Sequence, residues 1–332
     1  MSTAAPTLNR MPENASPQNH WSGSGQLRGT PAGIHFFIML LRLFGPRVAY
    51  IFSAPVALYF ALVSPDVPST VEFHRRIFGT QPWWKRRWLV CKHFFSFGQM
   101  MIDRVAILSG KLSPFSFTFD GEQHLHDAIA ERRGVLLLTA HLGNWEAAGQ
   151  LLSRVKVPIN IVGLDRETYS VRSLLTDAAN VRFRFITLSG ASTDAIPMLA
   201  ALRRGEIVAM VADRAYGTRI AQVPFLGDLA PFPIGPYMVA AAAGAPLIHV
   251  FCVRERSGHY HFSSSPPERL SSPPRQERAV FLHNCAARYA ERLETVVRRY
   301  PFQWFNFYPF WDAPLPRPAT SSLQHSAFSS PR

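Results

Sequence analysis

From about residue 120 onward, short apolar runs alternate with amphipathic segments. The apolar runs predict buried strands at 134–140, 158–164, 182–188, 206–212 and 246–253. The segments around them predict helices at 143–155, 168–180, 192–205, 233–244 and 276–300. Regular alternation of strands and helices is typical of a parallel sheet covered by helices. We therefore expect an α/β fold with a mostly parallel sheet flanked by helices.

The chain before residue 66 has a different pattern, with long apolar runs at 34–45 and 48–63. The second run carries no charge, although Pro55 interrupts it. As a helix it would extend about 24 Å, which is short of a hydrocarbon core of about 30 Å. Three interpretations remain open: one transmembrane helix, helices that lie in the membrane interface, and a buried helix pair of a soluble protein. We expect 31–66 to anchor the protein to a membrane.

Tryptophans and cations follow this segment in QPWWKRRW (81–88), a combination typical of interfacial anchors. The same residues suit a nucleic-acid stacking patch, but their position beside the apolar runs favours the membrane. The cations after the apolar runs are Arg75, Arg76, Lys85, Arg86 and Arg87, and those before or within them are Arg28, Arg42 and Arg47. If the apolar segment spans the membrane, this imbalance places the long C-terminal part on the cytoplasmic side.

Both ends of the chain are rich in Ser, Pro and other small or polar residues and lack apolar periodicity. We expect disorder at 1–30 and 314–332, and one catalytic domain at 67–313.

The net charge of +13 predicts acidic partners: nucleic acid, an anionic membrane surface or an acidic carrier protein. A basic surface without a specific partner is the alternative. The cations are scattered and form no dense block, so we expect no nucleic acid. The three cysteines lie far apart and include no CxxC pair. They therefore predict neither a disulfide framework nor a zinc ribbon, and they fit a reducing compartment.

Polar side chains follow three of the predicted strands, at the sheet edge where ligands of α/β proteins bind. They are His141 and Glu146 after the first strand, Asp165 and Arg166 after the second, and Asp213, Arg214, Tyr216, Gly217 and Arg219 after the fourth. We expect the active site at this edge.

His141 and Glu146 are the candidate acid–base pair. On one continuous helix, residues five apart would point about 140° away from each other. They can meet if His141 lies on the strand-to-helix turn, where Gly143 supplies backbone freedom. A carboxylate that holds one ring nitrogen would leave the other free to deprotonate a hydroxyl. The alternative is a histidine with a purely structural role.

The segment HLGNWE (141–146) resembles the H-x4-D/E motif of the lysophospholipid acyltransferase superfamily. A longer block, ADRAYGTRIAQVPFLGDLAPFPIGPYMVAAAAGAPLIHV (212–250), resembles its bacterial lipid A late acyltransferase branch, the lauroyl/myristoyl transferases. HFFSFGQMMIDR (93–104) and PFQWFNFYPFW (301–311) resemble flanking segments of relatives of that branch. The resemblance extends from about Phe36 to Trp311.

This resemblance implies a glycerol-phosphate acyltransferase-like fold and an enzyme of lipid metabolism on the cytoplasmic face of the bacterial inner membrane. It implies that His141 is the base and Glu146 its orienter. The implied substrate-binding residues are Arg166, Asp213, Arg214, Tyr216, Arg219, Gly143 and Asn144, although plain surface charge is the alternative for Arg166 and Arg219. No metal or cofactor is implied, because the acyl thioester supplies the driving force.

Acyl carrier protein is the implied donor, and a lipid hydroxyl at the membrane is the implied acceptor, in a lipid A precursor or a related glycolipid. The aromatic C-terminal segment 301–311 and Arg214 depart from the usual lipid A enzymes. An amino-acid lipid, a polyene lipid or a lysophospholipid therefore remains open as the acceptor, as does acyl-CoA as the donor. A non-catalytic basic protein that binds membrane or nucleic acid is the remaining alternative.

Overall fold

Four helices lead the described part of the chain: α1 (Pro31–Phe44), α2 (Pro46–Val63), α3 (Val67–Phe78) and α4 (Trp83–Leu108). The computed structural model describes residues 31–110, 112–145, 155, 157–164, 183–189, 192–214 and 219–312. The expected disordered ends, 1–30 and 314–332, lie outside these residues.

Strands and helices then alternate. They are β1 (Ser116–Asp120), α5 (Glu122–Ala130), β2 (Val135–Thr139), β3 (Ile159–Leu164), β4 (Phe183–Leu188), α6 (Ala195–Arg203), β5 (Ile207–Val211), β6 (Ile220–Phe225), β7 (Asp228–Pro233), α7 (Gly235–Ala243), β8 (Pro246–Arg256), β9 (His259–Ser264), β10 (Glu268–Arg269) and α8 (Arg278–Arg299).

The main sheet has the strand order β1-β9-β8-β2-β5-β3-β4, with β10 beside β8. Its pairs are parallel except β8 with β9 and β8 with β10. The α/β class with a mostly parallel sheet is therefore confirmed. All five predicted strands are present, and β2 is a nearly continuous buried run, as expected for a strand covered on both faces.

The sequence pattern did not predict the helices α3, α4 and α5, the strands β1, β9 and β10, or the hairpin of β6 and β7. The short strands β1 and β9 alternate small polar or histidine residues with aromatic ones and lie toward the sheet edge, so they lack the continuous apolar run of a central strand. The hairpin of β6 and β7 turns at Leu226 and Gly227, which both have positive φ. Positive φ at both central positions suits the twist of a tight hairpin.

The predicted helix 143–155 does not begin at Gly143, because Leu142 and Gly143 instead form isolated bridges to Trp304 and Cys252. Most of that helix, and all of the helix predicted at 168–180, lie outside the described residues. The remaining predicted helices, at 192–205, 233–244 and 276–300, correspond to α6, α7 and α8.

Helix α2 packs one face against α4 and leaves the other exposed. The buried face consists of Ala49, Tyr50, Ser53, Ala57 and Ala61, so small residues recur about every four positions and allow close approach. Tyr50 donates a hydrogen bond to the buried carboxylate of Asp103 on α4. This contact joins the apolar N-terminal helices to the domain that carries the sheet.

After α8 the chain returns across the core as an aromatic segment, residues 301–312. Trp304 is almost fully buried and makes edge contacts with Phe73 of α3, Phe225 of β6 and Phe310. Aromatic side chains bury large apolar areas and prefer such edge-to-face geometry. The aromatic segment is thereby fixed beside the carboxyl end of β2.

Candidate active site

His141 and Asp213 meet at the carboxyl ends of two neighbouring strands. β2 and β5 are parallel and adjacent, with Thr139 opposite Val211. Just beyond the strands, the Ala212 amide donates to the Thr139 carbonyl at 2.8 Å. His141 and Asp213, which follow these strands, therefore lie side by side although they are 72 positions apart in sequence. This is the edge at which open α/β sheets bind their ligands.

Both carboxylate oxygens of Asp213 are engaged. Oδ1 accepts a hydrogen bond from Nδ1 of His141 at 2.7 Å. Oδ2 accepts from the His141 backbone amide and from the Trp304 indole, both at 2.9 Å. Asp213 is 0% exposed, so these three donors replace the water that a carboxylate normally binds. The carboxylate has one defined orientation as a result.

The electrostatics keep Asp213 ionised. Burial alone would raise the pKa of its carboxyl, but the attraction and hydrogen bond of His141, together with Arg214 and Trp304, outweigh burial and lower the pKa. An ionised carboxylate only accepts hydrogen bonds, so the hydrogen on the neutral His141 ring is at Nδ1. Nε2 is then unprotonated, and it has no hydrogen bond to the residues that the structure describes. The side chain is 15% exposed, which leaves the ring accessible.

A three-residue strap, Gln303–Phe305, holds the backbone of the histidine turn. The Gly143 amide donates to the Gln303 carbonyl at 2.8 Å, and the Phe305 amide donates to the His141 carbonyl at 2.7 Å. The Leu142–Trp304 bridge between them is antiparallel. His141 is therefore fixed through its backbone as well as through its ring.

Gly143 is required by the close approach of β8 to the turn. Its φ is +59°, and a Cβ at this position would lie 1.9 Å from the Cys252 carbonyl oxygen. The next amide, of Asn144, donates to that same carbonyl at 3.0 Å. Gly143 and Asn144 were predicted to bind substrate; in the structure they join the histidine turn to β8.

The other predicted site residues are partly outside the described chain. Glu146, Arg166 and Tyr216 fall on residues that are not described, so their roles stay predictions. Arg214 is half-buried, with its guanidinium carbon 5.5 Å from the ring centre of Tyr308. Arg219 is exposed at the start of β6, and its carbonyl accepts from the Ile234 amide.

The sequence pattern did not single out Trp304, which belongs to the site through its bond to Asp213. The residue lies in the aromatic run 301–311, which resembles a flanking segment of relatives of the acyltransferase branch, and that run was the signal in the sequence. The family resemblance implied the orienting role for Glu146 and substrate binding for Asp213. Within the described residues, the carboxylate that contacts His141 is Asp213.

The described residues contain no group of three or more His, Cys, Asp or Glu side chains that could hold a metal ion. The imidazole of His141, with a buried carboxylate behind it and an Nε2 that no described residue binds, can deprotonate a hydroxyl.

The sequence model of bacterial lipid A biosynthesis acyltransferases matches residues 30–312 of this chain. The chain belongs to this family. The resemblance noted from 141–146 and 212–250 is therefore confirmed, and acyltransferase is the enzyme class that the family description names. The match takes in the four leading helices, the whole sheet and the aromatic segment.

Mycobacterial proteins are among the similar relatives of this acyltransferase-family chain. The phosphatidylinositol mannoside acyltransferase of Mycobacterium tuberculosis (strain H37Rv) is 26% identical over 206 residues, which cover 61% of this chain and 63% of that protein. The enzyme of the same name from Mycolicibacterium smegmatis is 28% identical over 194 residues, 58% of this chain and 61% of that protein. The chain thus spans about three fifths of the length of the curated relatives it matches.

A solved structure, the 1-acyl-sn-glycerophosphate acyltransferase of Thermotoga maritima, has a TM-score of 0.35 and 13% identity to this chain. The superposition covers 74% of this chain and 98% of that one.

Proposed function

We propose that this protein transfers a fatty acyl chain from a thioester donor to a hydroxyl of a lipid acceptor, with His141 as general base and Asp213 as the residue that orients it. The observation that carries the proposal is the 2.7 Å contact of Nδ1 with a buried carboxylate, in a member of an acyltransferase family and with no described residue bound to Nε2. General-base assistance of this kind is worth about 10²- to 10⁴-fold in rate.

In the proposed reaction the acyl group passes directly from the thioester to the acceptor hydroxyl, without a covalent enzyme intermediate. Nε2 of His141 takes the proton of the acceptor hydroxyl as its oxygen attacks the thioester carbonyl carbon. Asp213 stabilises the imidazolium that forms, because its negative charge lies against Nδ1. The tetrahedral intermediate collapses, the carbon–sulfur bond breaks, and the leaving thiolate takes the proton from the imidazolium. An ester and a free thiol result.

The sequence-derived partner residues remain part of this proposal. Glu146 is proposed as a second carboxylate near the site, because it stands in the acidic position of the motif 141–146. Arg166, Arg214, Tyr216 and Arg219 are proposed to bind the substrates, and their basic side chains suit a phosphate or phosphopantetheine group.

We propose acyl carrier protein as the donor and a glycolipid as the acceptor. A net charge of +13 favours encounter with an acidic carrier protein. A glycolipid acceptor is supported by the family description, which names lipid A, and by the relatives, which are named for a mannoside of phosphatidylinositol.

We further propose that the protein attaches to one leaflet of the membrane, on the cytoplasmic face, and does not span it. α2 is the one described helix that is long and apolar enough to cross a bilayer. One face of α2 is packed against α4 and the other is exposed, an arrangement that suits a helix lying in the membrane interface. The exposed apolar side chains of α1 and α2 form the apolar face: Phe36, Met39, Leu43, Phe44, Ile51, Phe52, Val56, Leu58, Tyr59, Leu62 and Val63.

Three exposed tryptophans, Trp83, Trp84 and Trp88, lie at the start of α4, the helix that packs against α2. Arg86 and Arg87 are exposed among them. Tryptophans beside cations are suited to the level of anionic headgroups. The cations therefore favour an anionic leaflet as the surface that covers the apolar face.

Comparative lipid mass spectrometry tests the proposed function. Cells carrying the wild-type chain, a deletion or His141→Ala are compared, and purified protein is assayed with acyl carrier protein and acyl-CoA thioesters in competition. We expect one glycolipid class to lose a single acyl chain in the deletion and in His141→Ala alike. Faster transfer from acyl-CoA would correct the donor. Unchanged lipids in His141→Ala, with changed lipids in the deletion, would overturn the mechanism, and no change in either would favour a binding protein.

A further inference from the structure

Two buried histidines lie in series behind Trp304, on the side away from His141. Nε2 of His93, on α4, is 3.1 Å from the Trp304 carbonyl oxygen. Nδ1 of His93 is 3.1 Å from Nε2 of His74, on α3. Both histidines are almost fully buried. A hydrogen-bonded chain thus runs from two helices of the N-terminal part to the strap that holds the active-site turn.

The direction of these bonds follows from the acceptor at the end of the chain. A carbonyl oxygen only accepts, so the hydrogen of neutral His93 is on Nε2. Nδ1 of His93 is then unprotonated and accepts from Nε2–H of His74. Nδ1 of His74 has no hydrogen-bond partner in the described residues, as expected for the unprotonated nitrogen of that ring.

The surroundings keep both rings neutral. His93 contacts the rings of Phe73, Phe302, Phe305 and Phe307. Burial and the neighbouring His74 lower the pKa of His93 well below its ordinary value, although the bond to the Trp304 carbonyl opposes the shift. Burial lowers the pKa of His74 to about 4.

His93 completes the support of the strap. On one side of the strap, Gln303 and Phe305 form hydrogen bonds with the backbone of Gly143 and His141. On the other side, the Trp304 carbonyl accepts a hydrogen bond from His93. The side chain of Trp304 in turn donates to Asp213. Loss of the bond from His93 would leave a buried carbonyl without a donor, and rotation of that peptide would displace the indole from Asp213.

We propose that His93 is a positioning residue of the acyl-transfer reaction: it holds the Gln303–Phe305 strap so that Trp304 fixes Asp213 and, through it, the ring of His141. His74 assists by fixing the tautomer of His93. This inference rests on the proposed function, in which His141 is the base. A misplacement of reacting groups of the order of 1 Å costs up to about 10²-fold in rate, so modest movement of the strap is measurable.

His93→Phe and His93→Gln separate this role from packing. Phenylalanine suits the ring of aromatic neighbours but donates no hydrogen bond, whereas the glutamine amide can place a donor near the former Nε2. We expect kcat of His93→Phe to fall about tenfold with KM unchanged, and His93→Gln to recover to within about threefold of wild type. His249→Phe is the matched control, because His249 is also a buried histidine but does not contact the strap. We expect its kcat to be unchanged.

The ¹⁵N-labelled indole resonance of Trp304, assigned with Trp304→Phe, reports the same geometry without activity. We expect it to shift in His93→Phe and to return toward the wild-type position in His93→Gln. Equal kcat in folded His93→Phe and wild type, or no recovery in His93→Gln, would overturn the proposal. A loss of kcat in His249→Phe as large as that in His93→Phe would also overturn it.

Failure of the proposed function is distinguishable, since wild type would then be no more active than His141→Ala. The indole resonance would still decide the positioning role of His93. If His93→Phe does not fold, His74→Phe takes its place, with an expected loss in kcat of about threefold and a shifted indole resonance. An unchanged kcat and resonance in His74→Phe would overturn the proposal.

Discussion

The indole Nε1–H of Trp304 donates a 2.9 Å hydrogen bond to Oδ2 of Asp213, across 91 positions of sequence. Oδ1 of the same carboxylate is bound to the ring of His141. The aromatic segment therefore contributes directly to the orientation of the proposed base, in addition to its share of the core.

Trp304→Phe removes this donor and keeps a planar aromatic ring, although a smaller one. We expect kcat to fall by about tenfold with KM unchanged, because Asp213 keeps two of its three donors but loses its fixed orientation. Steady-state kinetics measure the change. Phe310→Leu is a suitable control, since it alters the same aromatic cluster without a hydrogen bond to Asp213. An equal loss in both variants would assign the effect to packing.

Asp213→Asn tests the orienting carboxylate. The asparagine amide is isosteric with the carboxylate but neutral, so it no longer stabilises the imidazolium. Its NH₂ group would also face a hydrogen-bond donor where a carboxylate oxygen had accepted. We expect kcat to fall about 10²- to 10⁴-fold. Glu146→Gln is the paired variant, because the sequence motif assigns the orienting role to Glu146. A large loss in Glu146→Gln with little loss in Asp213→Asn would reverse the assignment.

Gly143→Ala should destabilise the fold more than a glycine substitution at an open turn. The new Cβ would lie 1.9 Å from a backbone carbonyl on β8, in addition to the strain of positive φ. Gly227→Ala is the matched control, since Gly227 also has positive φ but nothing within 4 Å of its added Cβ. We expect a loss in the free energy of unfolding of about 1–2 kcal/mol for Gly227→Ala and clearly more for Gly143→Ala. Urea unfolding measures both, and equal losses would contradict the contact.

Acid should destabilise the protein from pH 6.5 downward. Burial lowers the pKa of His74 from 6.5 to about 4 and the pKa of His249 from 6.5 to about 3. The unfolded chain therefore binds more protons than the folded one below pH 6.5, and the free energy of unfolding falls as the pH falls toward these values. We expect a loss on the order of 1–2 kcal/mol for each of these histidines between pH 6.5 and pH 5.

Urea titrations at both pH values measure this loss. His74→Gln, which does not titrate, should show a smaller difference between pH 6.5 and pH 5 than wild type. The same pH dependence in wild type and His74→Gln would show that His74 is not among the groups responsible.

Charged substitutions on the apolar face should release the protein from membranes. Ile51→Asp with Leu58→Asp introduces two carboxylates on the exposed face of α2. We expect binding to vesicles of phosphatidylethanolamine and phosphatidylglycerol to weaken on the order of 10²-fold, from the lost burial of two apolar side chains. Flotation of vesicles with bound protein measures it.

Ile196→Asp is the control for this test, because Ile196 is equally exposed but lies on α6, outside the apolar face. Undiminished binding of the α2 double variant would show that the apolar face does not contact the bilayer. Equal binding to phosphatidylcholine vesicles would show that the cations beside Trp83 and Trp88 do not select anionic lipid.

The sequence by itself determined the central strands and the three helices predicted at 192–205, 233–244 and 276–300. Apolar runs such as 134–140 and 206–212 predict a buried strand without information from the rest of the chain, because their side chains are stable only when they are buried inside the protein. It also determined that His141 and Asp213 each follow such a strand, and therefore that both belong to the carboxyl edge of the sheet. The family resemblance was carried by local motifs as well.

Only the tertiary structure decided which strands are neighbours. The order β8-β2-β5 places Asp213 beside His141, and no periodicity in either strand encodes that pairing. The contacts of Trp304 with Asp213 and with His93 join segments 91 and 211 positions apart. Such contacts depend on how whole helices and strands pack together. The local pattern of apolar and polar residues therefore does not predict them.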